Sequence, residues 1–141
     1  MMLRFIVVAT ASVLLLAGAN VRADDLTGEK KFICSVTSAV ICWDDGTCDT
    51  GTPVELNLPQ FIELDLNEKR LSTTKASGLN RSTPIASIQR DGDTIILQGF
   101  ENGRAFSYVI DEKTGESSAT ITAIGRNVSA FGACTPAAAS R

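Results

Sequence analysis

Residues 94–111, TIILQGFENGRAFSYVID, decide the fold. Thr94 to Glu101 is an apolar run of strand length, rich in β-branched and aromatic side chains. Asn102-Gly103 follows, the pair that most readily supplies the two positive φ angles of a type I′ hairpin turn. Beyond it, Arg104 to Asp111 alternates, with Phe106, Tyr108 and Ile110 on one face. Two strands, a two-residue turn and one apolar face predict an antiparallel hairpin lying on a core.

The same grammar extends in both directions. Upstream, Ile85 to Arg90 reads as a short strand and Asp91-Gly92-Asp93 as its turn. Downstream, Lys113-Thr114-Gly115 turns the chain into Ser117 to Ile124, where Ala119, Ile121 and Ala123 share one side. Gly125-Arg126-Asn127 leads into Val128 to Ala133. Turns recur at roughly 11-residue spacing, the mark of a meander. The N-terminal half is less regular: Lys31 to Trp43 reads as a strand, Gln60 to Leu66 alternates with Ile62, Leu64 and Leu66 on one face, and Asn67-Glu68 turns into Arg70 to Thr73. Residues 74–83 are polar apart from Ala76 and Leu79 and read as an exposed loop. No segment holds a 3.6-residue period over ten residues. The expectation is an all-β, antiparallel meander of about seven or eight strands, forming a small barrel or a strongly curled sheet so as to hide its edges. A sandwich of two sheets is the alternative.

The first 23 residues read as a secretory signal: Arg4, an apolar run from Phe5 to Leu16, and Val21-Arg22-Ala23 before a cleavage point between Ala23 and Asp24. The apolar run is shorter than the roughly 20 residues a spanning helix needs. Residues 24–141 then form a single disulfide-bonded β domain, its tail 136–141 expected to fray, with no membrane span after signal removal. Of 13 basic residues, Arg4 and Arg22 lie in the signal, so 11 remain against 16 acids, a net charge of −5. That balance argues against nucleic acid as a partner.

Cys34, Cys42, Cys48 and Cys134 all follow the signal, and an even count in an exported chain implies disulfides. Three pairings are open. Bridging Cys34 to Cys42 is awkward, because eight residues of extended strand separate them. Cys42–Cys48 closes a tight loop around Gly46, which leaves Cys34–Cys134 to tie the first strand to the last, and this pairing is favoured. A zinc site is the competing reading, but there is no Cys-x-x-Cys and no His.

Three segments carry a likeness: Pro59-Gln60-Phe61-Ile62, Gln98 through Ser107 (QGFENGRAFS), and Phe131-Gly132-Ala133-Cys134. Over nearly all of residues 24–141 the chain resembles a group of small exported proteobacterial proteins. The resemblance implies a bacterial, exported, β-rich protein, periplasmic or secreted, and carries no catalytic residue over.

Candidate sites are few. Residues 24–68 carry ten acids and two bases, whereas 69–90 carry Lys69, Arg70, Lys75, Arg81 and Arg90 and no acid. That basic stretch is a candidate interaction surface for an anionic envelope component or an acidic protein; the plainer reading is a solvated surface or one facing the protein's own acidic half. Asp44-Asp45-Gly46-Thr47-Cys48-Asp49 offers oxygens to calcium but lacks the D-x-D-x-D-G spacing, so a solvated turn is the simpler reading. Without His, the commonest general base is missing, and with oxidised cysteines so is thiolate chemistry. Glu63, Glu101 and Asp111 are the carboxylates available for glycoside hydrolysis, which needs two of them roughly 5–9.5 Å apart. Trp43 is expected to pack on the neighbouring disulfide. Asn80 and Asn127 head glycosylation sequons that a bacterial source would leave unused. A ligand-binding lumen would need a wide barrel, and Phe106, Tyr108, Ile110 and Ile121 look sufficient to fill a small one.

No catalytic residue, cofactor or metal is assigned. The expected function is a non-enzymatic, exported binding or interaction module whose partner is an envelope component or protein. Two alternatives are a carboxylate-dependent hydrolase of envelope glycans and a structural component of an envelope assembly.

Overall fold

The computed structural model describes residues 25–137. The cleavage point at Ala23/Asp24 and the last four residues of the tail lie outside them. Ten antiparallel strands form one strongly curled half-barrel sheet: β1 (Lys31–Trp43), β2 (Cys48–Gly51), β3 (Phe61–Asp65), β4 (Arg70–Thr73), β5 (Ser82–Pro84), β6 (Ser87–Asp91), β7 (Thr94–Glu101), β8 (Arg104–Asp111), β9 (Glu116–Ala123) and β10 (Arg126–Pro136). The order is β5-β4-β3-β1-β10-β9-β8-β7-β6, with β2 added on the second half of β1. A single sheet replaces the sandwich alternative. Residues 94–136 form the expected meander, and Asn102 and Gly103 take φ of 50° and 73°, the turn their identities favour.

Several expectations are corrected. β2 and β5 have no counterpart in the sequence reading because runs of four and three residues are too short to show alternation. The 74–83 segment is not all loop: Lys75–Ser77 forms a 3₁₀ turn and β5 begins at Ser82. β10 runs to Pro136, and the Ala137 N–H still donates to the Lys31 carbonyl, so pairing continues past the expected point of fraying.

β1 is the spine. It pairs with β10 along its whole length, with β3 through Lys31–Ser35 and with β2 through Ala39–Cys42. A bulge between Val36 and Ser38 bends it. Opposite the bulge stands Gly132, where a Cβ would lie 1.8 Å from the Ser35 carbonyl oxygen, so no side chain fits. The curl brings the two edges together. Thr83 on β5 donates to Glu101 on β7 at 2.9 Å, and the Ala86 N–H donates to the Gln98 carbonyl at 2.8 Å.

The disulfides join residues that face each other in register, Cys34–Cys134 across β1/β10 and Cys42–Cys48 across β1/β2. Such bridges belong to an oxidising, non-cytoplasmic setting. Among the described residues, no helix is long and apolar enough to cross a membrane.

One end of the half-barrel is solid. Phe32, Leu64, Ile95, Leu97 and Ile110 are fully buried there around Cys34 and Cys134. Leu26, also fully buried, plugs this end, its N–H bonded to the Glu112 carbonyl. Glu112 itself is buried and ion-paired with Arg90 of β6.

Candidate functional site

The other end of the half-barrel is hollow, and the register explains why. Inward-facing residues stack in rungs across β1, β10, β9, β8 and β7. At the boundary of the solid core, where Leu97 and Tyr108 still belong to it, a rung reads Ala39, Ala130, Ala119, Tyr108 and Leu97. The next reads Ile41, Val128, Ile121, Phe106 and Gly99, and the outermost Trp43, Arg126, Ala123, Arg104 and Glu101. Three neighbouring alanines in one rung and a glycine in the next remove the side-chain volume that fills the opposite end. Gly99 is required there: a Cβ would come within 2.5 Å of the Pro84 carbonyl oxygen and of the Phe106 ring.

What remains is a cavity of ≈ 400 Å³, within the roughly 300–1,000 Å³ range of small-molecule pockets. Its walls are largely apolar, from Val36, Ile41, Ile62, Leu71, Phe106 and Val128, with Ala119 and Ala130 at the back. A compact turn over residues 52–60 contributes Leu56, Leu58 and Pro59. That turn is held by Glu55, whose carboxylate takes the Thr52 N–H and hydroxyl at 2.8 Å each, and by the Val36 N–H bonding to the Gln60 carbonyl. The Thr52 N–H holds the Glu55 carboxyl below its ordinary value. Tyr108 puts a neutral phenol in the wall; burial pushes its pKa up, outweighing a hydrogen bond with Ser117.

The expectation that Phe106, Tyr108, Ile110 and Ile121 fill the interior therefore holds for Ile110 and Tyr108, which belong to the buried core, in part for Phe106, which packs against it, and fails for Ile121. Ile110 is fully buried in the solid end and Tyr108 is buried between that core and the cavity, whereas Phe106 and Ile121 line the open space and Ile121 remains 39% exposed. The alanines that open this space become neighbours only when three strands are in register.

The rim is charged. Arg81, Arg104 and Arg126 line the cavity together with Thr73, Thr83 and Glu101. Among the described residues none of these three arginine side chains is in an ion pair or an internal hydrogen bond, whereas Glu101 is held by Thr83.

The basic stretch does not form one surface. Lys69 sits in the β3–β4 turn at the solid end with φ 50°, and Arg70 points outward from β4, its Nε donating to Ser82 at 2.7 Å. Arg90 is engaged with Glu112, and Lys75 opens the 3₁₀ turn. Of the five, Arg81 lines the cavity, continuing the inward alternation of Thr83 and Ile85.

The carboxylates are likewise dispersed. Glu101 stands at the cavity rim and Asp111 at the far end of β8, seven residues beyond the partner of Glu101. At about 3.4 Å per residue that is more than 20 Å, beyond the spacing of a hydrolytic pair. Glu63 is on the outer face of β3. Asp45 is occupied with the N–H and hydroxyl of Thr47, and among the described residues no three Cys, Asp or Glu side chains are grouped to hold a metal ion. Trp43 does not pack as expected: adjacent residues of a strand face opposite sides, so Trp43 shares the rung of Arg126 while Cys42–Cys48 lies on the outer face.

Sequence reasoning missed Arg104 and Arg126. A signal existed, since Arg104 is in phase with Phe106, Tyr108 and Ile110, and Arg126 with Val128. No protein-family model matches this chain, and no match to a curated protein reaches significance.

Proposed function

We propose that this protein is a non-enzymatic binding module, exported to the periplasm or secreted by a bacterium, whose ligand is a small, largely apolar molecule held in the half-barrel. One observation carries the reading: a cavity of ≈ 400 Å³ walled by apolar side chains and kept open by the rung Ala39–Ala130–Ala119. A small disulfide-tied domain filled at one end and hollow at the other is built to enclose a ligand rather than to complete its own core. Export is supported by the signal-like residues 1–23 and by the two disulfides. Its partner in the envelope is then a small molecule.

The test uses a neutral apolar dye, N-phenyl-1-naphthylamine, whose fluorescence rises when it leaves water. The protein should give a saturable signal, and Ala130→Leu, which takes up part of the cavity, should weaken it. A wild-type signal no larger than that of the variant would refute the proposal.

A further inference from the structure

We infer that the ligand is a single-chain anionic amphiphile: one alkyl chain of roughly eight to twelve carbons lying in the cavity, with a carboxylate or phosphate head between Arg104 and Arg126. The inference deepens the binding-module reading and rests on it.

The cavity decides the tail. Its ≈ 400 Å³ corresponds to about a dozen water volumes, room for one medium chain but not for the two chains of a bilayer lipid. Most of the lining is aliphatic or aromatic; the charged groups, Arg81, Arg104, Arg126 and Glu101, stand at the rim, and the buried phenol of Tyr108 is hydrogen-bonded to Ser117. An apolar tail therefore meets mainly carbon along its length.

The rim decides the head. Arg104 and Arg126 stand on β8 and β10 in one rung, with Ala123 of β9 between them. Two strand spacings put their backbones about 10 Å apart, and the intervening methyl leaves both long side chains free to converge over it. A third arginine, Arg81, approaches from the β5 side. None of the three has an acidic partner among the described residues. Glu101, the one acid of the lining, is turned to Thr83 across the seam, so the rim keeps a net positive charge. A planar guanidinium pairs two-pronged with carboxylate or phosphate oxygens, and such charge-assisted bonds strengthen at the edge of an apolar cavity. Unpaired cations above an apolar chamber match a molecule whose charge is at one end.

Calorimetric titration of the purified protein with decanoate, decyl phosphate, decanol and decyltrimethylammonium separates the parts of the inference. Decanoate or decyl phosphate should bind about tenfold or more tightly than decanol, since a hydrogen-bonded charge is at stake, and the cationic surfactant more weakly still. The double variant Arg104→Gln/Arg126→Gln should bring the anions down to the decanol level while leaving decanol unchanged. Both arginines are exposed, so folding should be kept, which thermal melting confirms. Affinity should rise from octanoate to dodecanoate and then level off. Equal binding of decanol and both anions, or an unchanged anion affinity in the double variant, would overturn the head-group assignment while leaving the cavity as a binding site. A continued rise through hexadecanoate would overturn the chain length. Failure of all four probes and of the neutral dye would instead refute the binding-module reading itself.

Discussion

Replacing Ala119 by Leu should make this protein more stable, which is unusual for a large side chain placed inside a domain. Ala119 lies in the middle of β9, between Tyr108 and Ala130, and lines the cavity. Leu adds three carbons directed into empty space. At about 0.8 kcal/mol per buried methylene, the gain is about 2 kcal/mol if the new group is well packed. For a domain of this size, 1 kcal/mol moves the melting temperature by about 4 °C, so a rise of about 8 °C is expected. Urea titration followed by far-ultraviolet circular dichroism is the assay: the midpoint should increase at constant slope, because the surface exposed on unfolding is nearly unchanged. The variant should also bind the dye more weakly, since stability and binding draw on the same volume. A destabilisation of about 1–3 kcal/mol, the usual effect of overpacking, would refute the reasoning by showing that the rung of alanines has no room above it. Ile110→Ala at the solid end is the contrasting case and should cost about 2–5 kcal/mol.

Three further outcomes are expected. Removing the Cys34–Cys134 bridge, which closes 100 residues, should cost more stability than removing Cys42–Cys48, which closes six: about 4–5 against about 2 kcal/mol in the chain-entropy model, measured as paired Cys→Ala variants. Gly132→Ala should prevent normal pairing of β1 with β10, because the new Cβ meets the Ser35 carbonyl oxygen; amide exchange along both strands would reveal it, and native protection would count against the geometry. Asp111 accepts the N–H groups of Thr114 and Lys113, which hold its carboxyl below the usual value. A carboxylate depressed by folding lends stability above its unfolded pKa of about 3.9 and loses it as pH falls through the lower folded value. Asp111→Asn should therefore make the stability–pH curve shallower below about pH 4 and leave the neutral region nearly flat, as judged by melting temperatures across that range.

Much of the architecture was written locally. Asn102-Gly103 with alternating runs on either side is a hairpin whatever surrounds it, because the turn's positive φ angles and the strand's two-residue period are properties of the chain alone. The all-β class, the meander from Thr94 onward and the apolar faces of β3 and β8 follow from such short-range rules. The cavity does not. Ala39, Ala119 and Ala130 are unremarkable in the sequence and become neighbours only because β1, β10 and β9 take one particular register. Arg104 and Arg126 are 22 positions apart in the chain and share a rung only across β9, and Arg81 lines the same cavity only because the curl returns β5 to β7. Conversely, the basic run at 69–90 is contiguous in sequence and scattered in space, since the β3–β4 turn, the outer face of β4 and the pairing of Arg90 with Glu112 send its members apart. Strand identity depends on residues within a few positions, so the sequence alone determined it. Volume and charge inside a curled sheet depend on which distant strands stand in register, and only the tertiary structure decided that.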